Sequence, residues 1–146
     1  MESHASGKCG SSMSDRGPEP FAVNMVCAAQ KNQNFRTALW TGSYLQLTLM
    51  CIPVCGEVGL ELHSDTDQFI RVECGRALVC MGACKEKLDV RRCLNSGDAV
   101  LVPAGTWHNI CNAGNGPLKL SSLYAPPHHL KGTVHRTRAE ALREEY

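Results

Sequence analysis

Gly97-Asp98-Ala99-Val100-Leu101-Val102-Pro103-Ala104-Gly105-Thr106-Trp107-His108-Asn109-Ile110-Cys111-Asn112 is the stretch that decides the fold. It reads as a turn, a strand, a tight corner and a second strand that opens on His108. Proline fixes the entry into such a corner. Glycine permits a backbone conformation that a Cβ would resist. The corner can hold an imidazole at the wall of a β-barrel. Upstream, Glu61-Leu62-His63 sets a carboxylate and a second imidazole two residues apart. Alternate side chains of a strand share a face, so Glu61 and His63 point the same way.

Working outward, the chain reads as a succession of short strands. Phe35 to Thr41 is β-prone, and Gly42-Ser43 is a turn. Tyr44 to Ile52 alternates, with Tyr44, Gln46, Thr48 and Met50 opposing Leu45, Leu47, Leu49 and Cys51. Further strands are expected at Val58–His63, Gln68–Cys74, Arg76–Met81, Leu88–Cys93, Ala99–Val102, Trp107–Asn112 and Leu118–Tyr124. Short strands at this spacing, with no long helix between them, predict an all-β sandwich or barrel. The first 20 residues are rich in Ser, Gly and Pro and are expected to be a disordered tail. Residues 21–34 are expected to form a short helix or linker, residues 35–125 the barrel, and residues 126–146 a C-terminal extension. Thr137-Arg138-Ala139-Glu140 is a capping-box pattern that opens a short helix there.

At 146 residues the chain is one domain with room for a core. Its net charge of +1 gives no general electrostatic reason to bind nucleic acid or an anionic membrane. Arginines near the C-terminus are offset by Glu140, Glu144 and Glu145. The nine cysteines include no C-x-x-C pair, so the tetrahedral zinc pattern is absent. No apolar run resembles a signal peptide or a membrane span, so a reducing cytosol and free thiols are expected.

The chemistry converges on one group of side chains. Antiparallel pairing of the strands flanking Ser64-Asp65-Thr66-Asp67 would bring Gln68 close to Glu61 and His63. A buried charge needs a partner, and a divalent cation would satisfy Glu61, His63, His108 and an amide oxygen of Gln68 together. The mixed nitrogen and oxygen set suits Fe, Mn, Co, Ni or Zn. Gln68 could instead only hydrogen-bond Glu61 or another ligand. Asp65 and Asp67 read as loop acids or turn formers.

These segments resemble the two motifs of the cupin superfamily. The second is matched in full by Gly97, Pro103, Gly105, His108 and Asn112. The first is looser, with Glu61, His63, Gln68 and Gly75 at the corresponding positions and the opening glycine displaced by one, at Gly56. Glu61 replaces a histidine and Gln68 replaces a glutamate, so carboxylate and neutral ligand have exchanged places. The donor inventory also resembles that of metal-dependent phosphomannose isomerases, in a different order. The resemblance implies a jelly-roll, double-stranded β-helix barrel, usually homodimeric, with a divalent metal ion in its mouth. It implies a cytoplasmic metal-binding protein acting on a small-molecule substrate, with a sugar (phosphate) isomerase-type reaction first. A non-haem metal dioxygenase and a non-catalytic binding or sensor protein are the alternatives.

Secondary candidates follow from residue type. Trp40, Tyr44, Trp107 and Tyr124 are expected in the core or an interface, with a pocket as the other reading. Arg36 and Arg71 suit an anion or a salt bridge. The segment from Pro126 to His135 carries three histidines. It is expected at a subunit interface, or as a lid bringing His135 near the metal.

Overall fold

The computed structural model describes residues 13–144. A short helix, α1 (Met25–Lys31), precedes eight strands: β1 (Arg36–Thr41), β2 (Gln46–Ile52), β3 (Asp67–Cys74), β4 (Arg76–Gly82), β5 (Val90–Asn95), β6 (Ala99–Val102), β7 (Trp107–Asn112) and β8 (Leu118–Ala125). A two-residue strand, β9 (Val134–His135), and helix α2 (Arg138–Arg143) follow. All pairings are antiparallel. One sheet has the order β6-β3-β8-β2-β1-β9 and the other β5-β4-β7. This is the expected jelly-roll, double-stranded β-helix.

The core lies between the sheets. It contains Met50, Ile52, Ile70, Val72, Val79, Leu94, Ile110, Leu118 and Leu120. A second cluster lies on the outer face of the larger sheet, where Leu39 and Leu49 pack with Ala29 of α1. Alternation in β2 is therefore real, but both faces are covered. Leu47 and Leu49 turn outward beneath α1, while Gln46 and Thr48 are buried inside.

Helix α1 is capped at Asn24, whose side chain accepts from the Cys27 amide. Its C-terminal carbonyls are held by buried Lys119, which donates to the oxygens of Gln30 and Asn32. Helix α2 begins as expected, with Thr137 accepting from the Glu140 amide.

Several expectations are corrected. Residues 1–12 of the expected disordered tail lie outside the described residues. Residues 13–20 instead run beside β1, where the Arg16 amide donates to Leu39 and Asp15 accepts from Thr41 and Gly132. Cys27 is disulfide-bonded, contrary to the expectation of free thiols throughout. Cys51, Cys55, Cys74, Cys80, Cys84, Cys93 and Cys111 are free. Among the described residues no helix is long and apolar enough to cross a membrane.

Residues 58–63 do not form a regular strand. They run antiparallel to β7, with Val58 donating to Ile110 and Glu61 exchanging both backbone bonds with His108. Two residues separate Val58 from Glu61 but one separates Ile110 from His108, which makes a β-bulge. Gly59 sits in it at φ +106°, a backbone state that favours glycine.

Candidate metal centre

The bulge decides which side chains enter the barrel. Opposed residues of an antiparallel pair point to one face. Val58 and Ile110 face the core; strict alternation would then send Leu60 inward beside His108. The extra residue shifts the phase, so Glu61 faces inward with His108 while Leu60 is 42% and Leu62 39% exposed. Asn109 locks the bulge: its Oδ1 accepts from the Gly59 amide and its Nδ2 donates to Glu57.

The Pro103/Gly105 corner places the second imidazole. The Thr106 amide donates to Pro103, and Gly105, at φ +82°, donates to the carbonyl of His63. Asp67 accepts from the Ala104 amide, so it is a turn former as expected. Asn112, which ends the second motif, donates to Ile52, Pro53 and Gly116 and accepts from Gly114. Its part is to hold the strand end.

Glu61, His63 and His108 meet at the barrel mouth, each offering one ligand atom within 4.8 Å of the others. The Glu61 Oε1 lies 3.4 Å from His63 Nε2 and 3.8 Å from His108 Nε2. The Nδ1 of His108 donates to the Thr106 carbonyl at 2.9 Å, which fixes the tautomer and leaves Nε2 with a lone pair. His108 Nε2, both ring nitrogens of His63 and Oε1 of Gln68 are buried without hydrogen-bond partners. The Gln68 amide group is oriented by donating to Ser122 Oγ at 2.8 Å, which leaves its oxygen as an acceptor. An unsatisfied buried polar group costs about 1–3 kcal/mol. This chemistry fits a cation: one lone-pair nitrogen on each neutral imidazole and an amide oxygen, all unpartnered, beside a carboxylate. The Glu/His/His cluster could hold a metal ion.

Electrostatics keep these groups in ligand form. Burial pushes the Glu61 carboxyl up, but His63 beside it and the charges of Arg36, His63 and His108 outweigh burial and hold it below its ordinary value. Burial holds His108 below its ordinary value, against its bond to Thr106 and the charge of Glu61. Burial also pushes the Tyr124 phenol up. Arg36 is only 1% exposed; its Nη2 lies 3.9 Å from Glu61 Oε2 and its Nη1 bonds His135 Nδ1 at 3.2 Å.

The C-terminal extension folds back over its own barrel. His135 is not the residue against the cluster: its ring is taken up by Arg36 and Glu144. His128 is, with its ring centroid 4.1 Å from that of His63. Neither His128 nor His129 was singled out by the sequence, and their place depends on Gln46, 83 residues from His129. The Oε1 of Gln46 accepts from both backbone amides and its Nε2 donates to the His129 carbonyl. The mouth is a cavity of about 580 Å³ bordered by Glu61, His63, His128, His129, His135 and Glu144. Burial and neighbouring charges hold His128 below its ordinary value and push His129 down to about 2.

Other candidates fall elsewhere. Tyr124 is buried in the interior. Tyr44 is 84% exposed and Trp40 donates to the Glu19 carbonyl, so neither lines the mouth. Arg71 pairs with Glu73 on its own strand.

The fold and its mouth define a small β-barrel protein with a histidine and carboxylate cluster built into the opening. Residues 48–124 match the family model described as a cupin domain, and the chain belongs to that family. It is 51% identical over 133 residues to the uncharacterized protein YrkC of Bacillus subtilis (strain 168), spanning 91% of this chain and 72% of that one. A crystal structure of a protein from Bacillus halodurans superposes with TM-score 0.88 at 52% identity, covering 89% of this chain and 98% of that chain. KdgF from Halomonas sp. shares the fold, with TM-score 0.56 at 20% identity over 64% of this chain and 80% of that one.

Proposed function

We propose that this chain is a metal-binding cupin acting on a small molecule, with Glu61, His63 and His108 holding a divalent cation and Gln68 supplying a fourth ligand. One observation carries the reading. Both ring nitrogens of His63, Nε2 of His108 and Oε1 of Gln68 are buried without partners, so each imidazole and the amide offers one free lone-pair atom beside a carboxylate. Gln68 is oriented by Ser122 and His108 by Thr106, as outer hydrogen bonds orient metal ligands. Bound there, the cation supplies Lewis-acid polarisation of a carbonyl or hydroxyl oxygen.

A sugar (phosphate) isomerase-type reaction is the leading assignment. The Glu, His, Gln, His inventory and a polar mouth of about 580 Å³ support it. Two histidines and one carboxylate are also the set used by non-haem iron oxygenases, which favours a dioxygenase as the second reading. Seven free thiols among the described residues support a cytoplasmic setting, and the Cys27 disulfide counts against it.

Elemental analysis tests the reading. The native protein should carry one divalent metal per chain, and His108→Ala should lose at least about 90% of it while keeping its far-ultraviolet circular dichroism. Loss of one ligand should exceed the roughly 10–100-fold effect of removing an outer-shell partner. Full metal content in His108→Ala would refute the ligand assignment. Interconversion of sugar phosphates without oxygen separates the isomerase from the dioxygenase, which would consume oxygen when loaded with iron.

A further inference from the structure

The histidines around the mouth differ in what their rings already bond. His108 uses Nδ1 on Thr106, His129 bonds the Tyr124 hydroxyl at 3.3 Å, and His135 is held between Arg36 and Glu144. His128 borders the same cavity, is exposed, and its ring makes no hydrogen bond in the structure. Its place is nevertheless fixed. Its amide donates to Gln46 Oε1 at 3.1 Å, and Gln46 is fully buried. The ring rests on His63 at 4.1 Å and stacks at 25° with Tyr124, their centroids 5.6 Å apart. A surface histidine does not need so complete a seat.

We infer that His128 is a substrate-contacting residue, donating a ring N–H to an oxyanion of a small molecule held in the mouth. The inference deepens the metal-binding reading and rests on it. Charge selects the ligand class. A divalent cation and Arg36 together exceed Glu61 by two positive charges in a site where Arg36 is 1% exposed. Glu144 is committed to His135, and its side chain is 66% exposed, so solvent screens it. An anionic ligand balances the site, and a polar group is best accepted where a donor already waits. Phosphate and carboxylate share this chemistry.

The test uses the full chain loaded with Zn²⁺, its stoichiometry established by elemental analysis before any ligand is added. Inorganic phosphate and acetate are then titrated separately by calorimetry, and the ring nitrogens of His128 are followed by nitrogen-15 magnetic resonance. One or both anions should bind, which distinguishes the two sources, and should move the His128 ring signals. His128→Ala should retain one Zn²⁺ and bind the anion at least about 10-fold more weakly, as expected for loss of a charge-assisted hydrogen bond. His128→Gln, which keeps an N–H donor, should recover part of the loss. Binding in His128→Ala within twofold of the native protein would overturn the inference, as would failure of both anions to bind the zinc-loaded native chain. Absence of stoichiometric Zn²⁺ would instead overturn the metal-binding reading, and this inference with it.

Discussion

Replacing Arg36 with Met should make the folded chain dependent on metal. Arg36 is 1% exposed and its Nη2 lies 3.9 Å from Glu61 Oε2, with Glu61 16% exposed. At an effective dielectric of 20, charges at this 3.9 Å separation attract by about 4 kcal/mol. Removing one member of a buried pair leaves the other uncompensated and costs about 3–5 kcal/mol. The lost bond to His135 adds about 1 kcal/mol. Arg36→Met should therefore lose roughly 4–6 kcal/mol of stability in chelator. A divalent cation at the cluster replaces the missing positive charge. It also escapes the repulsion Arg36 exerts in the native chain. Metal should accordingly stabilise Arg36→Met by about 2–4 kcal/mol more than it stabilises the native protein, the greater part of the Coulomb figure. The hydrogen bond to His135 is not recovered. Arg36→Lys, which keeps the charge, should show a smaller excess. Urea unfolding with and without Zn²⁺ measures all of these quantities. A loss under about 1 kcal/mol in chelator, or equal metal stabilisation in both proteins, would refute the reasoning.

Acid should loosen the C-terminal extension first. His129 is pushed down to about 2, so between its ordinary value of 6.5 and that value the unfolded chain binds the extra proton and stability falls as pH falls. The ceiling is about 1.4 kcal/mol per pH unit, and hydrogen exchange at residues 128–135 should report it, with His129→Phe flattening the dependence. Glu61, held below its ordinary value of 4.5, adds a loss at lower pH, where its folded form protonates. Gly59→Ala should destabilise by about 1–3 kcal/mol, because φ +106° strains any Cβ. That Cβ would also stand 2.5 Å from Nη2 of Arg138, so the guanidinium whose Nε donates to the Val58 carbonyl must shift. Urea midpoint and bound metal should fall together; an unchanged metal content would separate the bulge from the site.

The second motif was legible because its chemistry is local. Pro103, Gly105 and His108 lie within one corner, and that corner alone sets the imidazole against the wall. Glu61 and His63 were found by their two-residue spacing, but the reason they face inward was not. Strict alternation gives no preference between the Glu61/His63 phase and the Leu60/Leu62 phase, and hydrophobicity favours the wrong one. The bulge settles it, and the only local trace is Gly59, an isolated glycine in a strand pattern. The expected pairing of residues 58–63 with β3 does not form: residues 58–63 run along β7 and β3 lies between β6 and β8. Gln68 therefore shares the interior with Glu61 from the other sheet, oriented by Ser122, 54 residues away. His128 was hidden for the same reason. Nothing near it announces a contact with His63, because the contact is made through the amide of Gln46. The Cys27 disulfide was equally opaque, since cysteine count and spacing do not fix pairing.

The inner face explains why one end of this barrel is a site and the other a core. Register aligns Gln46, Tyr124 and Gln68 in one row across β2, β8 and β3, then Thr48, Ser122 and Ile70, then Met50, Leu120 and Val72. Each strand thus passes from polar to apolar as it descends from the mouth. The apolar rows give hydrophobic burial at about 25 cal/mol per Å². The polar rows offset part of that gain, because Thr48 and Gln68 keep unpaired oxygens out of water. If folding alone shaped the chain, apolar residues in the upper rows would be more stable, since a half-satisfied polar network is worse than none. A ligand that completes the network removes this cost, and only at the end where Glu61, His63 and His108 converge. The polar-to-apolar gradient thus agrees with the unpartnered nitrogens and oxygens in supporting the proposed ligand site at the mouth.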